Sequence, residues 1–326
     1  MRADDFKLLL GQLAQLSHRQ RDKLGRTLNQ TTAQEQVVAL IDAATTAHPS
    51  CPHCQSARCH RHGRADALQR FRCTVCRKTF NSLTGTPLAR LRHKDKWLAY
   101  ADCLLVSSSV RAAASEIGID KNTSFRWRHR FLALPGHDRP PCLHGIAEAD
   151  EMYLLESEKG ARHLQRRPRQ RGGVATKRGI SGEQVCVLVA RDRTGQTRDF
   201  VAGKGALTTA QLRTHLAPVI DHDILLVTDA HAAYRSFARE MGISHQAVNL
   251  SRGVRVAGAA NVHVHVQNVN AYHRRFRQWL ARFNGVASRY LSNYLGWRWA
   301  LDAGRIGAPE TLFSAAIGVF PHLAVT

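Results

Sequence analysis

The sequence predicts a multidomain α/β protein in which N-terminal helices, a small metal-held module and a helix-turn-helix precede a larger mixed sheet flanked by helices. Three observations carry that expectation. Cysteines recur as two Cys-x-x-Cys pairs inside a segment with too few aliphatic residues to build its own core. An alanine-rich helical pattern with a glycine at its turn comes next. Beyond Leu143 the apolar period switches repeatedly between that of strands and that of helices. A chain of 326 residues, 44% of them hydrophobic, suits two or three domains with at least one sizeable core.

Residues 1–47 place Phe6, Leu9, Leu10, Leu13, Leu16, Val37, Val38, Leu40 and Ile41 at helical spacing, which predicts an N-terminal helical segment. Residues 48–84 change texture to Cys, His, Arg and turn residues. Here Cys51-x-x-Cys54 and Cys73-x-x-Cys76 are separated by eighteen residues, the two-knuckle spacing of a structural zinc ribbon. Two thiolates on one tight turn grip the ion, and a second turn closes the tetrahedron. Folding energy for so small a unit then comes from Zn²⁺. Cys59, His60 and His62 lie within the loop, but the four-cysteine set is complete without them. Arg58, Arg61, Arg64, Arg70 and Arg72 face a single acid, Asp66, so the ribbon carries its own surface for phosphate. Cys103, Cys142 and Cys186 are scattered, which fits buried thiols in a reducing compartment rather than a disulfide framework.

Residues 85–134 predict a helix-turn-helix DNA-binding region. Ala112 to Ala114 allow close helix crossing, Gly118 makes the turn, and a second helix from Ser124 to Leu132 presents basic side chains. Asn122, Thr123, Arg126 and Arg128 are its candidate DNA contacts. The whole chain carries 47 Lys plus Arg against 25 Asp plus Glu, a net charge of +22, which points to a polyanionic partner. Double-stranded DNA is the expected one. No apolar run approaches the length of a membrane span and charges stud the first thirty residues, so a membrane partner and a signal peptide are not expected.

Pro135, Gly136, Pro140 and Pro141 mark a linker, after which residues 143–300 form a mixed α/β domain. Its pattern reads strand 145–154, strand 184–191, strand 197–202, helix 208–220, strand 223–228, helix 230–241, short strand 245–250 and helix 268–282. That order is compatible with a ribonuclease-H-like fold. A basic insertion, 156–182, has eight Lys or Arg against two acids and reads as an arm that orders on DNA. Residues 301–326 are left as a C-terminal tail.

Two carboxylates occupy telling positions. Asp150 lies within the first strand, where alternation puts Glu148, Asp150 and Met152 on one face and Ala149, Glu151 and Tyr153 on the other. Asp229 ends the apolar strand of "DILLVTDAH", the end at which open α/β sheets carry functional groups. An acid in such a strand is costly unless paired or holding a metal, and two on adjacent strand ends can hold Mg²⁺ or Mn²⁺ for phosphoryl transfer. Between Met241 and Leu301 there is no Asp or Glu, while Arg252, Arg255, Arg274, Arg275, Arg277, Arg282, Arg289 and Arg298 fall there. Candidates for a third metal ligand are therefore Asn270 first, then Asn268, Gln267, His265 and His263. Gly203-Lys204-Gly205 lacks the spacing of a phosphate loop, so no ATP is expected.

Taken together, CPHC…FRCTVC, "RAAASEIGI", "EADEMYLLESEKGARHL", "LLVTDAHAAY" and "HVQNVNAYHRRFRQWLARFNGVASRYLSNYLGWRW" resemble the zinc-ribbon insertion-sequence transposases, ISXO2-like or IS1595-type, from about Cys51 to Trp299. Their superfamily has ribonuclease-H-like catalytic domains with an Asp-Asp-Glu triad. The resemblance implies that Asp150 and Asp229 match the first two acids and that Asn270 stands at the third position, as in some relatives, followed by a basic residue matched by Arg277. It further implies DNA contacts from Arg274, Arg275 and Arg277, action on terminal inverted repeats and target DNA as a homodimer or higher oligomer, and a bacterial, cytoplasmic and nucleoid-associated setting. Two other readings remain beside it: a weakened or domesticated transposase acting as a DNA-binding regulator, and a nonspecific nuclease. The first lacks a reason to keep both strand-end acids, the second a reason for two DNA-reading modules.

Overall fold

The computed structural model describes residues 2–44, 49–164, 166–169, 173–248 and 264–320. Arg252, Arg255 and His263 lie outside them. The chain forms two compact units, Met1–Phe131 with Gly307–Val319, and Leu132–Ile306 with Phe320–Thr326.

In the first unit, α1 (Ala3–Leu13) and α2 (His18–Ala43) are followed by an antiparallel three-stranded sheet of β1 (Cys59–Ala65), β2 (Leu68–Cys73) and β3 (Thr79–Phe80). Ser17 caps α2 by accepting the Gln20 N–H while Gln20 returns the favour to the Ser17 N–H. The core of the ribbon is small: Cys51, Phe71, Cys73 and Phe80 are buried, and the two phenyl rings stack with centroids 5.6 Å apart.

Three helices come next, α3 (Trp97–Leu105), α4 (Val110–Ile117) and α5 (Lys121–Phe131). Ser109 caps α4, and Gly118 ends it in the left-handed region at φ 64°, where a side chain is strained. Helix α5 starts earlier than its apolar pattern suggests, because the Asp120 carboxylate accepts the Asn122 N–H at 2.8 Å. Its buried face is Ser124, Trp127, Arg128 and Phe131, the i, i+3, i+4, i+7 stripe.

The C-terminal residues are not a free tail. Helix α10 (Pro309–Ala316) belongs to the first unit and buries Leu312, Phe313, Ala315 and Ala316. The Phe313 ring lies 5.9 Å from Trp97 and 6.5 Å from Phe131. Apolar spacing in so short a stretch is too sparse to announce a packed helix.

The second unit is built on a five-stranded sheet. Its strands are β4 (Ile146–Leu155), β5 (Gln184–Asp192), β6 (Thr197–Lys204), β7 (Leu225–Thr228) and β8 (Ser244–Ala247), in the order β6-β5-β4-β7-β8. β4, β5 and β6 run antiparallel in succession, whereas β7 pairs parallel with β4 and β8 parallel with β7. β5 is apolar and buried almost throughout, as a strand covered on both faces must be.

On one face, α6 (Thr209–His215) and α7 (Ala232–Met241) pack over Ala147, Ala149, Leu188 and Leu226. α6 is shorter than the predicted 208–220 because Pro218 cannot donate to the helical ladder, and the chain turns through a 3₁₀ segment instead. Helix α8 (Gln267–Ala281) covers β4 and β5, and α9 (Leu291–Asp302) runs beside β6. A Cβ on Gly136 would meet the Gly296 Cα at 2.9 Å, so the linker turn and α9 can touch only through two glycines.

Candidate active site and metal-binding residues

The four ribbon cysteines come together. Cys51, Cys54, Cys73 and Cys76 place their sulfurs within 4.8 Å of one another, the one such His, Cys, Asp and Glu group among the described residues. Cys51 and Cys76 Sγ are 3.6 Å apart, as are Cys54 and Cys73. Four thiolates about 2.3 Å from a tetrahedral Zn²⁺ would stand about 3.8 Å from each other, so the donor set fits that ion. Backbone N–H groups, first that of Cys76 and then that of Val75, draw the Cys73 thiol down to about 6 despite the opposing effect of burial. Cys59 packs against the cluster without joining it, and His60 and His62 are exposed.

In the helical hairpin, Asn122 and Arg126 are exposed and Thr123 is half-buried, whereas Arg128 is not at the surface. Its side chain is 1% exposed and donates to the Ser108 carbonyl. The correction has a simple origin. Arg128 stands one position after Trp127, inside the buried stripe, and a charge count cannot tell a guanidinium that ties α5 to a neighbouring loop from one facing solvent.

The two strand acids converge. Ala149 and Thr228 are partners in the parallel register, which makes Asp150 and Asp229 neighbours one step further on. Asp229 also accepts the His231 N–H at 3.0 Å, just ahead of α7. Burial pushes the Asp150 carboxyl up to about 7, the Glu151 and Asp229 charges push the same way, and Arg277 on α8 opposes them. Glu151, on the other face, is held by Tyr234 Oη at 2.8 Å and is likewise raised, first by burial. His273 Nδ1 lies 3.7 Å from Asp150 Oδ2, and burial followed by the Arg277 charge depresses its pKa to about 4. At neutral pH this imidazole is uncharged.

Helix α8 supplies the rest. Asn270, Arg274 and Arg277 are exposed along one stripe, and Arg275 is exposed with its guanidinium 3.5 Å from Asp302. Asn270 and Arg277, seven residues apart, share almost one direction on the helix. Asn268 and His265, candidates behind Asn270, are instead committed to Glu148. Sequence reasoning put Glu148 on the face of Asp150 but gave it no task, and it passed over His273 and Tyr234. The sequence offered only the alternation that places Glu148 on the Asp150 face of β4, while its full burial is seen in the fold alone.

Asp150 predicts its own stability effect. Between the ordinary carboxylate value and about 7 the folded chain holds a proton that the unfolded chain has lost, so stability falls as pH rises through that window. The penalty is fully present above it. Asp150→Asn should therefore stabilise the protein without added divalent metal by about 2 kcal/mol, roughly 5 °C in Tm, near pH ~8. The gain should vanish as pH falls towards ~4. Thermal melts of both proteins across that range check it, and a gain independent of pH would refute it.

Comparison with known proteins gives this geometry a family. Residues 142–299 match the ISXO2-like transposase domain. A relative from Halobacterium salinarum, described as an uncharacterized protein in transposable element ISH50, is 31% identical over 252 residues, covering 75% of this chain and 82% of the relative. Two Mos1 structures match remotely. The pre-cleavage transpososome is 12% identical with a TM-score of 0.20, and the strand transfer complex is 13% identical with a TM-score of 0.18. Each alignment covers 64% of this chain and 78% of the Mos1 chain, and at those scores no structural correspondence follows. The matched family domain runs from before β4 into α9 and so contains Asp150, Asp229 and Asn270. With the ISH50 relative spanned over most of its length at this identity, the chain belongs to the ISXO2-like, IS1595-type family of DDE transposases.

Proposed function

We propose that this transposase binds the DNA ends of an insertion sequence and performs metal-dependent strand cleavage and transfer, with Asp150 and Asp229 as catalytic acids and Asn270 as third ligand to Mg²⁺ or Mn²⁺. The observation that carries the reading is that Asp150 on β4 and Asp229 just past β7 each follow directly on the parallel Ala149–Thr228 pair, where burial first, and then the charges of Glu151 and Asp229, raise the Asp150 carboxyl at a spot that a bound cation would relieve. Three successive antiparallel strands followed by two parallel ones support a ribonuclease-H-like domain. Bound divalent ions would activate the attacking hydroxyl and stabilise the leaving oxygen. Arg274 and Arg277 are placed on α8 to meet scissile-strand phosphates, while neutral His273 packs behind Asp150 without competing as a cation.

End recognition falls to the first unit in this reading. The exposed Arg58, Arg61 and Arg64 of the ribbon meet phosphates, and the N-terminal half of α5 offers Asn122, Thr123 and Arg126 to base edges. Two ends must be cut, so two or more copies would act together. Incubating the protein with end DNA and Mg²⁺ or Mn²⁺ tests the proposal through nicked and joined products.

One observation favours the second reading, a weakened transposase acting as a DNA-binding regulator: the third position holds Asn270, whose carboxamide brings no negative charge to a divalent ion. The two readings separate at that position. Asn270→Ala should cost about a hundredfold in cleavage rate if the amide oxygen is a ligand, since one metal contact is lost. Asn270→Asp should retain part of the rate and shift the Mg²⁺ against Mn²⁺ preference. A surface asparagine with no such role would change stability by less than about 0.5 kcal/mol. Full cleavage by the alanine variant at saturating Mg²⁺ removes Asn270 from the site.

A further inference from the structure

We infer that Glu148 is a positioning residue: its carboxylate caps α8 from a strand and thereby sets Asn270, His273 and Arg277 at a fixed distance from Asp150. Its consequence for cleavage rests on the reading of Asp150 given above; the tether itself does not.

Helix α8 begins after Val266, which offers no side-chain cap, and only the Gln267 N–H finds a side chain nearby in sequence, His265 Nδ1 at 3.3 Å. Its leading N–H groups need acceptors all the same. Glu148, 120 positions earlier, provides them: Oε2 accepts the Asn268 N–H at 2.8 Å and the Val269 N–H at 3.1 Å, and Oε1 accepts Asn268 Nδ2 at 2.8 Å. Arg193 Nη1 lies 3.1 Å from the same Oε1, and His265 Nδ1 lies 3.2 Å away. Arg193 Nη1 also lies 2.9 Å from His265 Nε2, and His265 Nδ1 accepts the Gln267 N–H at 3.3 Å.

A carboxylate 1% exposed is costly without such company, and here three N–H donors and the Arg193 guanidinium surround it. The positive end of the helix adds to the attraction. A carboxylate has about four lone-pair sites, so nothing remains for a metal ion. Glu148 is therefore not a ligand.

Spacing explains what the tether achieves. Glu148 and Asp150 are two residues apart on β4, a step of about 6.6 Å along the strand. Val269 and His273 are four residues apart on α8, a rise of about 6 Å. The contacts Glu148 to Val269 and Asp150 to His273 thus match step for step, the second at 3.7 Å. Two matched contacts fix both the slide and the rotation of α8 over the strand. One further turn along lies Arg277, whose charge acts on Asp150.

Glu148→Gln tests this, since it keeps the volume but removes the charge and turns one acceptor into a donor. Backbone amide exchange at Asn268 and Val269 should accelerate at least about tenfold. In single-turnover cleavage of end DNA at saturating Mg²⁺, the rate constant should fall about a hundredfold, with the amplitude and end-DNA affinity unchanged. A merely structural defect would lower the amplitude, through an inactive fraction, and leave the rate constant alone. If Glu148→Gln fails to fold, Arg193→Met loosens the same anchor from its solvent side and should show both effects in smaller measure. Unchanged exchange overturns the tether, and accelerated exchange with an unchanged rate constant overturns the positioning role. Asp150→Ala in the same assay keeps the two questions apart: if it cleaves normally, the reading of the acid pair has failed, while the exchange result still judges Glu148.

Discussion

Replacing Asp150 with alanine should abolish strand cleavage, with a rate loss of at least about a thousandfold, and leave binding to end DNA within about twofold of the parent. The asymmetry follows from where the residue stands. Asp150 and Asp229 lie side by side on β4 and just past β7, in the second unit, whereas the ribbon arginines and α5 belong to the first. Asp229 calls for a better substitution than alanine, because its Oδ1 also accepts the His231 N–H. Asp229→Asn keeps that acceptor and removes only the charge, so its loss of cleavage reports on the metal site rather than on the turn before α7. Single-turnover cleavage and a binding titration with labelled end DNA check the pair. Equal losses of binding and cleavage would undo the division of labour.

Loss of zinc should have an effect as large in the other unit. Cys54→Ser or Cys76→Ser should drop zinc content from one ion per chain to well below it, unfold the ribbon and weaken end recognition. Apart from the cysteines, the buried cluster between the knuckles holds Phe71 and Phe80, and with Leu68 and Leu83 these are the buried hydrophobics among the described residues of the ribbon, too little apolar surface to order it. A structural zinc site supplies about 10–16 kcal/mol in comparable small modules. Metal analysis together with end-DNA binding settles it, and a variant that still holds one zinc per chain would show the four-cysteine set to be wrong. Cleavage of a short DNA supplied at saturating concentration should survive better than end selection.

What could be read from the sequence follows how far apart the cooperating residues are. The ribbon was legible because a metal site writes its geometry into local spacing: two residues between ligands within a knuckle, a loop between knuckles. The nearness of Asp150 to Asp229 was legible because a carboxylate within or at the end of an apolar strand has few physical excuses, and the parallel register of β4 and β7 brings the two positions together. The β4 face assignment also held, with Glu148 and Asp150 towards α8 and Ala147 and Ala149 in the core under α7. Arg128 was misread because residue type does not reveal which of two adjacent helical positions is buried. The role of Glu148 was out of reach, since its partners lie 120 residues away and only the closed fold brings them together. The end of α6 could have been read from Pro218.

The return of α10 to the first unit has a consequence for biosynthesis. The first unit lacks Leu312 and Phe313 from its core until α10 has left the ribosome. All of residues 132–306 are translated in the meantime, which takes about ten to thirty-five seconds at about 5–20 residues per second. During that interval Trp97 and Phe131 have no Phe313 to pack against, and the nascent chain carries an incomplete first unit while the sheet of the second can already close. A message cut short before codon 309 would therefore yield a protein defective in holding DNA, although every basic residue of the ribbon and of α5 had been made.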